Sequence, residues 1–366
     1  MNGLVKRHDC PVTWASKVRG LMLGLALGDA IGSKRSDIPA TGPLEAGAAT
    51  QLAAWTAEGI LRTATRYGGR VVGNPLHVLA YAYQRWALLR GGKPTAFEWN
   101  PIIEMPGTIT RGWLIDVPTM SEKRGSSPST MGAVLSGQPV ESEGCQGMLR
   151  GLPVAALVGP RMHDGRTASP NLGYLDHYAR GVATLTHAGG RNYATGGFSV
   201  SLLAECLRSE DGLEGAFHEV AGGWLDEEIR DSITAAHVGA RSTPCVPDLL
   251  ARLAPNKTSI SALTGGLYVA LCFPERDAIA DALEFAGWAP DGDSVAAVAG
   301  ALLGAVHGVE ALPVPLVSRL ELGWVMDTLA RDLALQVTTN QVGDGWKGDG
   351  FENPLDPYWD VRYPGV

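Results

Sequence analysis

Asp291, Asp293 and Ser294 fall within four residues at the head of residues 290–305, PDGDSVAAVAGALLGA. Two carboxylates two positions apart, with a hydroxyl beside them, can converge on a hard cation such as Mg²⁺, which takes oxygen ligands. The run behind them is helical in pattern, so a plain helix cap is the competing role for Asp293 or Ser294. A second candidate is the stretch KRGSSPSTMGAVL, in which Ser126 and Ser127 sit in a Gly/Ser loop that runs into a helix. Such a loop offers backbone N–H groups and hydroxyls to an anion, or is an ordinary capped loop. Arg150 is the lone cation of the apolar segment CQGMLRGLPVAALV, placed to meet a phosphate or to pair with a buried carboxylate. His187, at the mouth of a Thr-His-Ala-Gly-Gly turn, is placed to orient a substrate or to interact with a helix end.

The elements that must position these residues read almost entirely as helix, with apolar residues at i, i+3 and i+4 and almost no strict alternation. Val18, Leu21, Met22 and Leu25 mark a first helix that should end at Gly28 and Asp29. Leu52, Trp55, Ile60 and Leu61 mark a second over residues 48–67, and a third over 75–89 starts with proline. Residues 91–130 read as irregular. Residues 145–158 read as helix interrupted near Pro153, and further helices are expected over 174–185, 193–207, 225–238, 260–272, 277–285, 295–307 and 315–337. In the helix behind Asp293, Ala296, Gly300 and Gly304 recur every four residues. Glycine costs about 1 kcal/mol against alanine inside a helix, so this spacing points to a neighbouring backbone packed close along that side. The last segment, 338–366, is rich in Gly, Asp and aromatics (Trp346, Phe351, Tyr358, Trp359, Tyr363) and reads as a tail that docks onto the body or a partner.

Composition narrows the functional classes. The chain has 366 residues, 45% hydrophobic and 19% charged, enough to bury a large core. A formal charge of −8 argues against non-specific nucleic-acid binding, which needs basic patches. The five cysteines (Cys10, Cys145, Cys206, Cys245, Cys272) are scattered without a C-x-x-C pair, as in free thiols of a reducing cytosol. No apolar run reaches the ~20 residues of a membrane helix, and the first residues lack the apolar core of a signal peptide. A cytoplasmic protein is expected. The Rossmann, P-loop, G-x-S-x-G and H-E-x-x-H motifs are absent.

Taken in order, the GDAIGS helix end, the GCQGMLRGLP segment, the THAGG turn and the PDGDSVAAVAGALLGAVHG helix resemble the ADP-ribosylglycohydrolase family. The resemblance runs from about residue 16 to about residue 335 and is thin between 65 and 140. It implies a single compact all-α domain over 14–337. It also implies a pair of Mg²⁺ ions and cleavage of ADP-ribose from protein side chains or related glycosides. By the same resemblance Asp291, Asp293 and Ser294 stand for the family's late metal motif. Cys145, Gly147 and Arg150 belong to a wall of the ADP-ribose cleft, His187 to the family's TH turn, and Asp29 to the turn after the first helix.

The departures are as informative. The family opens its second helix with two adjacent metal-binding Asp, where this chain reads Ala48-Ala49-Thr50. Thr50 keeps its place as a candidate ligand, but alanine has no donor atom. The carboxylate that often follows the first turn falls near Ser36, leaving Asp37 and Glu45 as nearby substitutes beside Asp29 for acid–base work. One Mg²⁺, or none, is therefore expected rather than two. The expected partner is ADP-ribose or an ADP-ribosylated protein or small molecule. Two functions follow: a divergent hydrolase of an ADP-ribosyl bond, or a non-catalytic protein that binds ADP-ribose.

Overall fold

Glycines recurring every fourth residue on two helices, Gly20, Gly24 and Gly28 on the first and Gly300 and Gly304 late in the chain, set the centre of the molecule. A computed structural model describes residues 12–32, 34, 37–68, 75–93, 112–161, 171–224, 226–342, 346–347, 350–351 and 354–365. Ser36, Cys10, the expected N-terminal features and residues 94–111 of the irregular stretch lie outside these.

The helices in chain order are α1 (Trp14–Ile31), α2 (Ala48–Arg66), α3 (Pro75–Leu89), α4 (Pro118–Ser121), α5 (Pro128–Ser136) and α6 (Gln146–Leu149). Then come α7 (Leu172–Thr184), α8 (Gly190–Arg208), α9 (Gly212–Ala221), α10 (Glu227–Ser242), α11 (Pro247–Leu253) and α12 (Ser259–Cys272). The last are α13 (Ile279–Ala286), α14 (Gly292–His307), α15 (Val314–Val317), α16 (Gly323–Thr339) and α17 (Trp359–Arg362). A two-residue hairpin, Trp346–Lys347 with Gly350–Phe351, is the one β element among the described residues outside isolated bridges. The chain is a single all-helical domain, and among the described residues no helix is long and apolar enough to cross a membrane.

α1 and α14 run antiparallel in backbone contact. A Cβ built on Gly20 would overlap the carbonyl oxygen of Gly304, one on Gly24 that of Gly300, and one on Gly28 that of Ala296. Dispersion forces act over short range, so two bare helix backbones gain contact that side chains would prevent. The pairing brings the C-terminal end of α1 against the N-terminal end of α14, which places Asp29 beside Asp293. α1 continues to Ile31, beyond the expected end, so Asp29 lies in its last turn.

α2 is buried on every side from Ala48 to Thr65. It carries Glu58, which ion-pairs with Arg62 on the same helix and with Arg85 of α3, all three buried. Two cations on one carboxylate leave a surplus positive charge, and Arg62 turns an N–H to the Pro364 carbonyl at 3.4 Å. The tail docks at this point: Trp359 and Tyr363 are buried, and the Tyr363 hydroxyl donates to Asp332 of α16 at 2.5 Å. Tyr363→Phe is expected to cost about 1.5–3 kcal/mol, the worth of a hydrogen bond to a charged group. Urea unfolding measures it, and an unchanged midpoint would show the latch to be idle.

The expected helix over 315–337 is broken. Leu44 N–H donates to the Arg319 carbonyl at 2.8 Å, and Glu321 N–H donates to the Leu44 carbonyl at 2.9 Å. These bonds take the backbone groups a helix would need between α15 and α16. Residues 145–158 form α6 and a 3₁₀ segment, Leu152–Val158, because Pro153 supplies no N–H.

Candidate functional site

The ends of several helices meet at a cleft of about 340 Å³, within the ~300–1,000 Å³ range of small-molecule sites. It is lined at the C-terminal end of α1 by Asp29 and at the N-termini of α2, α5 and α14 by Ala48, Ser129 and Asp293. Convergent helix N-termini present unpaired N–H groups and partial positive charge, which suits an anionic ligand.

Asp29 is held by α2. Its Oδ2 accepts from the Thr50 backbone N–H at 3.0 Å and from the Thr50 hydroxyl at 2.5 Å. The N-cap of α2 is Gly47, whose missing side chain leaves room for this carboxylate. Asp29 thus caps a neighbouring helix from the end of its own, where the dipole of α1 opposes its charge. Burial pushes its carboxyl up to about 6 against the Thr50 bonds, with the charge of Asp293 adding to the rise. Burial and the neighbouring charge of Asp291 also raise the Asp293 carboxyl.

Asp291 is the N-cap of α14, yet its side chain makes no capping bond, and Asp293 and Ser294 lie inside the first turn. The cap reading of this motif does not describe the geometry. The buried Asp291 instead faces the Lys257 ammonium at 3.6 Å and the Cys145 thiol at 3.8 Å. Cys145 Sγ lies 3.1 Å from the Ser294 hydroxyl. Burial, then the Asp291 charge, push that thiol up to about 12, so Cys145 is a neutral group in the cleft wall, not a nucleophile.

The remaining candidates divide. Ser126 and Ser127 line the cleft at the start of α5, and the Ser127 hydroxyl is buried without a hydrogen-bond partner. His187 also lines it, with Nδ1 2.8 Å from the Thr186 hydroxyl. Burial and the nearby Arg150 charge hold its pKa at about 3, so it is a neutral imidazole at physiological pH. Glu45 lines the rim, exposed and 3.4 Å from Arg124.

Four candidates sit elsewhere. Arg150 is fully buried, donating to the Val182 and Ala183 carbonyls and to Thr130, with its guanidinium 4.4 Å from the Tyr83 ring centroid. It therefore meets neither the expected phosphate nor the expected carboxylate. Gly147 is not at the cleft surface; a Cβ there would press on Asn192 and the His187 ring, so its bareness lets α6 lie against that histidine. Thr50 is buried with its hydroxyl committed to Asp29, which makes it a positioning residue. Asp37 is exposed and outside the lining.

The cleft also holds Lys34, Arg124 and Lys257, which sequence reasoning did not single out. Three cations therefore face the four carboxylates Asp29, Glu45, Asp291 and Asp293. The donor set suits one divalent cation at most: Asp29 is raised by burial with the charge of Asp293 adding to it, Asp293 by burial and the charge of Asp291, and a positive charge beside them would offset both. A second does not fit. Ala48 and Ala49 offer no donor there, and the Lys257 ammonium already stands at Asp291.

A family model described as ADP-ribosylglycohydrolase matches residues 11–343. No curated protein matches the sequence. Among solved structures, one titled "ADP-ribosylglycohydrolase-related protein complex" is similar, with a TM-score of 0.57 and 20% identity over 89% of this chain and 99% of that one. At that identity the likeness is one of fold.

Proposed function

This chain belongs to the ADP-ribosylglycohydrolase family, and on that premise we propose that its cleft binds ADP-ribose or a related nucleotide-sugar around one Mg²⁺ rather than two. Asp29, Asp291 and Asp293 would hold the ion, with the Ser294 hydroxyl beside them. When bound, the ion supplies positive charge to ligand oxygens and acidifies a bound water. The ligand's phosphates meet the N-terminus of α5, where the orphaned Ser127 hydroxyl and the Ser126 loop provide donors. Neutral His187 orients the ligand without adding charge.

The observation that carries this reading is the Lys257 ammonium 3.6 Å from Asp291, in a cleft whose α2 wall presents Ala48 rather than a carboxylate. A lysine supplies positive charge to the cleft but cannot activate water, so hydrolysis is slow or absent while binding persists. The competing reading, a metal-free sensor, follows if Lys257 alone neutralises the cleft.

Calorimetric titration of ADP-ribose into metal-stripped protein, with and without Mg²⁺, separates the two. Affinity that rises with Mg²⁺ and drops about tenfold in Asp291→Ala supports the single-ion reading. Equal affinity without Mg²⁺ selects the sensor, and no binding in either condition rejects both. Lys257→Met removes an exposed competing charge, and Mg²⁺ should then bind several-fold tighter. Unchanged Mg²⁺ affinity in that variant would show that Lys257 is a bystander.

A further inference from the structure

We propose that Glu214, His218 and His237 form a second metal site, for a zinc-class divalent ion, at the junction of α9 and α10 and apart from the cleft. Glu214 and His218 stand one turn apart on α9, so their side chains share a face. His237 reaches the same point from α10. Glu214 Oε1 lies 2.8 Å from His237 Nε2 and 3.3 Å from His218 Nε2. One donor atom from each residue falls within 4.8 Å of the other two. Tetrahedral zinc with ligands at 2.0–2.2 Å sets those atoms about 3.3 Å apart, so small side-chain rotations complete the set.

The three ligands differ in freedom in a useful way. His237 is the fixed one: its side chain is 13% exposed, and its ring stacks on Phe217 at 4.7 Å and 14°. His218 and Glu214 are 61% and 45% exposed and free to close on an ion. Two imidazoles and a carboxylate suit zinc, copper or nickel rather than Mg²⁺ or Ca²⁺. Each Nε2 that now points at the carboxylate becomes a lone-pair donor when its ring proton moves to Nδ1, a tautomer change without net proton loss. Arg241 also donates to Glu214 Oε1, at 3.0 Å, and must be displaced. It is 69% exposed, and exposed ion pairs of this kind contribute little. Three protein ligands leave the fourth position to water, and the ion would staple α9 to α10. None of the three residues lines the cleft.

Zinc titration of the chelator-stripped full chain, followed by calorimetry and repeated with Co²⁺ absorbance, tests this. The expected result is one equivalent that persists in Asp293→Asn and raises the thermal midpoint by about 2 °C or more. His218→Ala, at an exposed position, should weaken zinc at least tenfold while leaving the metal-free midpoint unchanged, and His237→Gln should do the same to zinc. The proposal is overturned if wild type binds neither ion, if both histidine variants bind as wild type does, or if Asp293→Asn alone abolishes binding.

Discussion

Gly24→Ala removes at least 3–4 kcal/mol of stability, a large share of the ~5–15 kcal/mol that holds a typical domain folded. In isolation the change would favour the helix by about 1 kcal/mol, so the sign of the result is diagnostic. The added methyl would overlap the Gly300 carbonyl oxygen, and backbone cannot swing aside as a flexible side chain does. Both helices would have to separate along their length, carrying Asp29 away from Asp293 and opening the cleft. Gly190→Ala is the matched control. A Cβ there meets nothing within 4 Å, so the variant should be neutral or more stable by up to about 1 kcal/mol. Thermal and urea unfolding of the two variants decide the matter: a Gly24→Ala midpoint within 2 °C of wild type would show that the seam tolerates side chains.

Asp29→Asn separates stability from function in the opposite sense. The Asp29 carboxyl is raised to about 6 from an ordinary 3.8, so between these values the folded state binds more protons than the unfolded chain. Stability therefore falls as pH rises through that window, by on the order of 2–3 kcal/mol once the group is ionised. Asparagine keeps an oxygen for both Thr50 bonds and discards the charge. In metal-free buffer the variant should match wild type near pH 4 and exceed it by about 2 kcal/mol at pH 8. Mg²⁺-dependent ligand binding should fall about tenfold, as in Asp291→Ala, because one of the three carboxylates around the ion loses its charge. If Asp29→Asn is no more stable at pH 8, or binds ligand with Mg²⁺ as before, the carboxylate is a structural cap only.

Much of this was legible in the sequence, and the omissions have physical causes. The fourfold spacing of Ala296, Gly300 and Gly304 announces a close neighbour, and Gly20, Gly24 and Gly28 carry the same spacing on the helix that turns out to be that neighbour. Most of the helices that were expected lie close to their observed bounds, whereas α9 and α11, of 10 and 7 residues, are too short for an apolar period to repeat more than a few times. The break after α15 comes from pairing with Leu44, which no local pattern encodes. Arg150 looked like a ligand because it was a lone cation among apolar residues. The carbonyls at the end of α7 and the face of Tyr83 satisfy it instead, a tertiary arrangement the sequence does not spell out. Lys257 carries no signature at all, since a lysine in a short polar loop is what any surface offers. Only the fold turns it toward Asp291.

The seam between α1 and α14 also sets a timetable. Gly24 and Gly300 are 276 positions apart in the chain, 300 less 24. At ~5–20 residues per second of synthesis, α1 waits roughly 15 to 55 seconds for its partner to be made. During that interval the bare glycine face of α1 has no permanent cover, and whatever collapse occurs among earlier helices must remain loose enough to admit α14. Because Asp29 gains Asp291 and Asp293 only when the seam closes, the cleft is born with the last third of the chain. A ligand therefore cannot guide the nascent protein; it can only hold together one that has already closed.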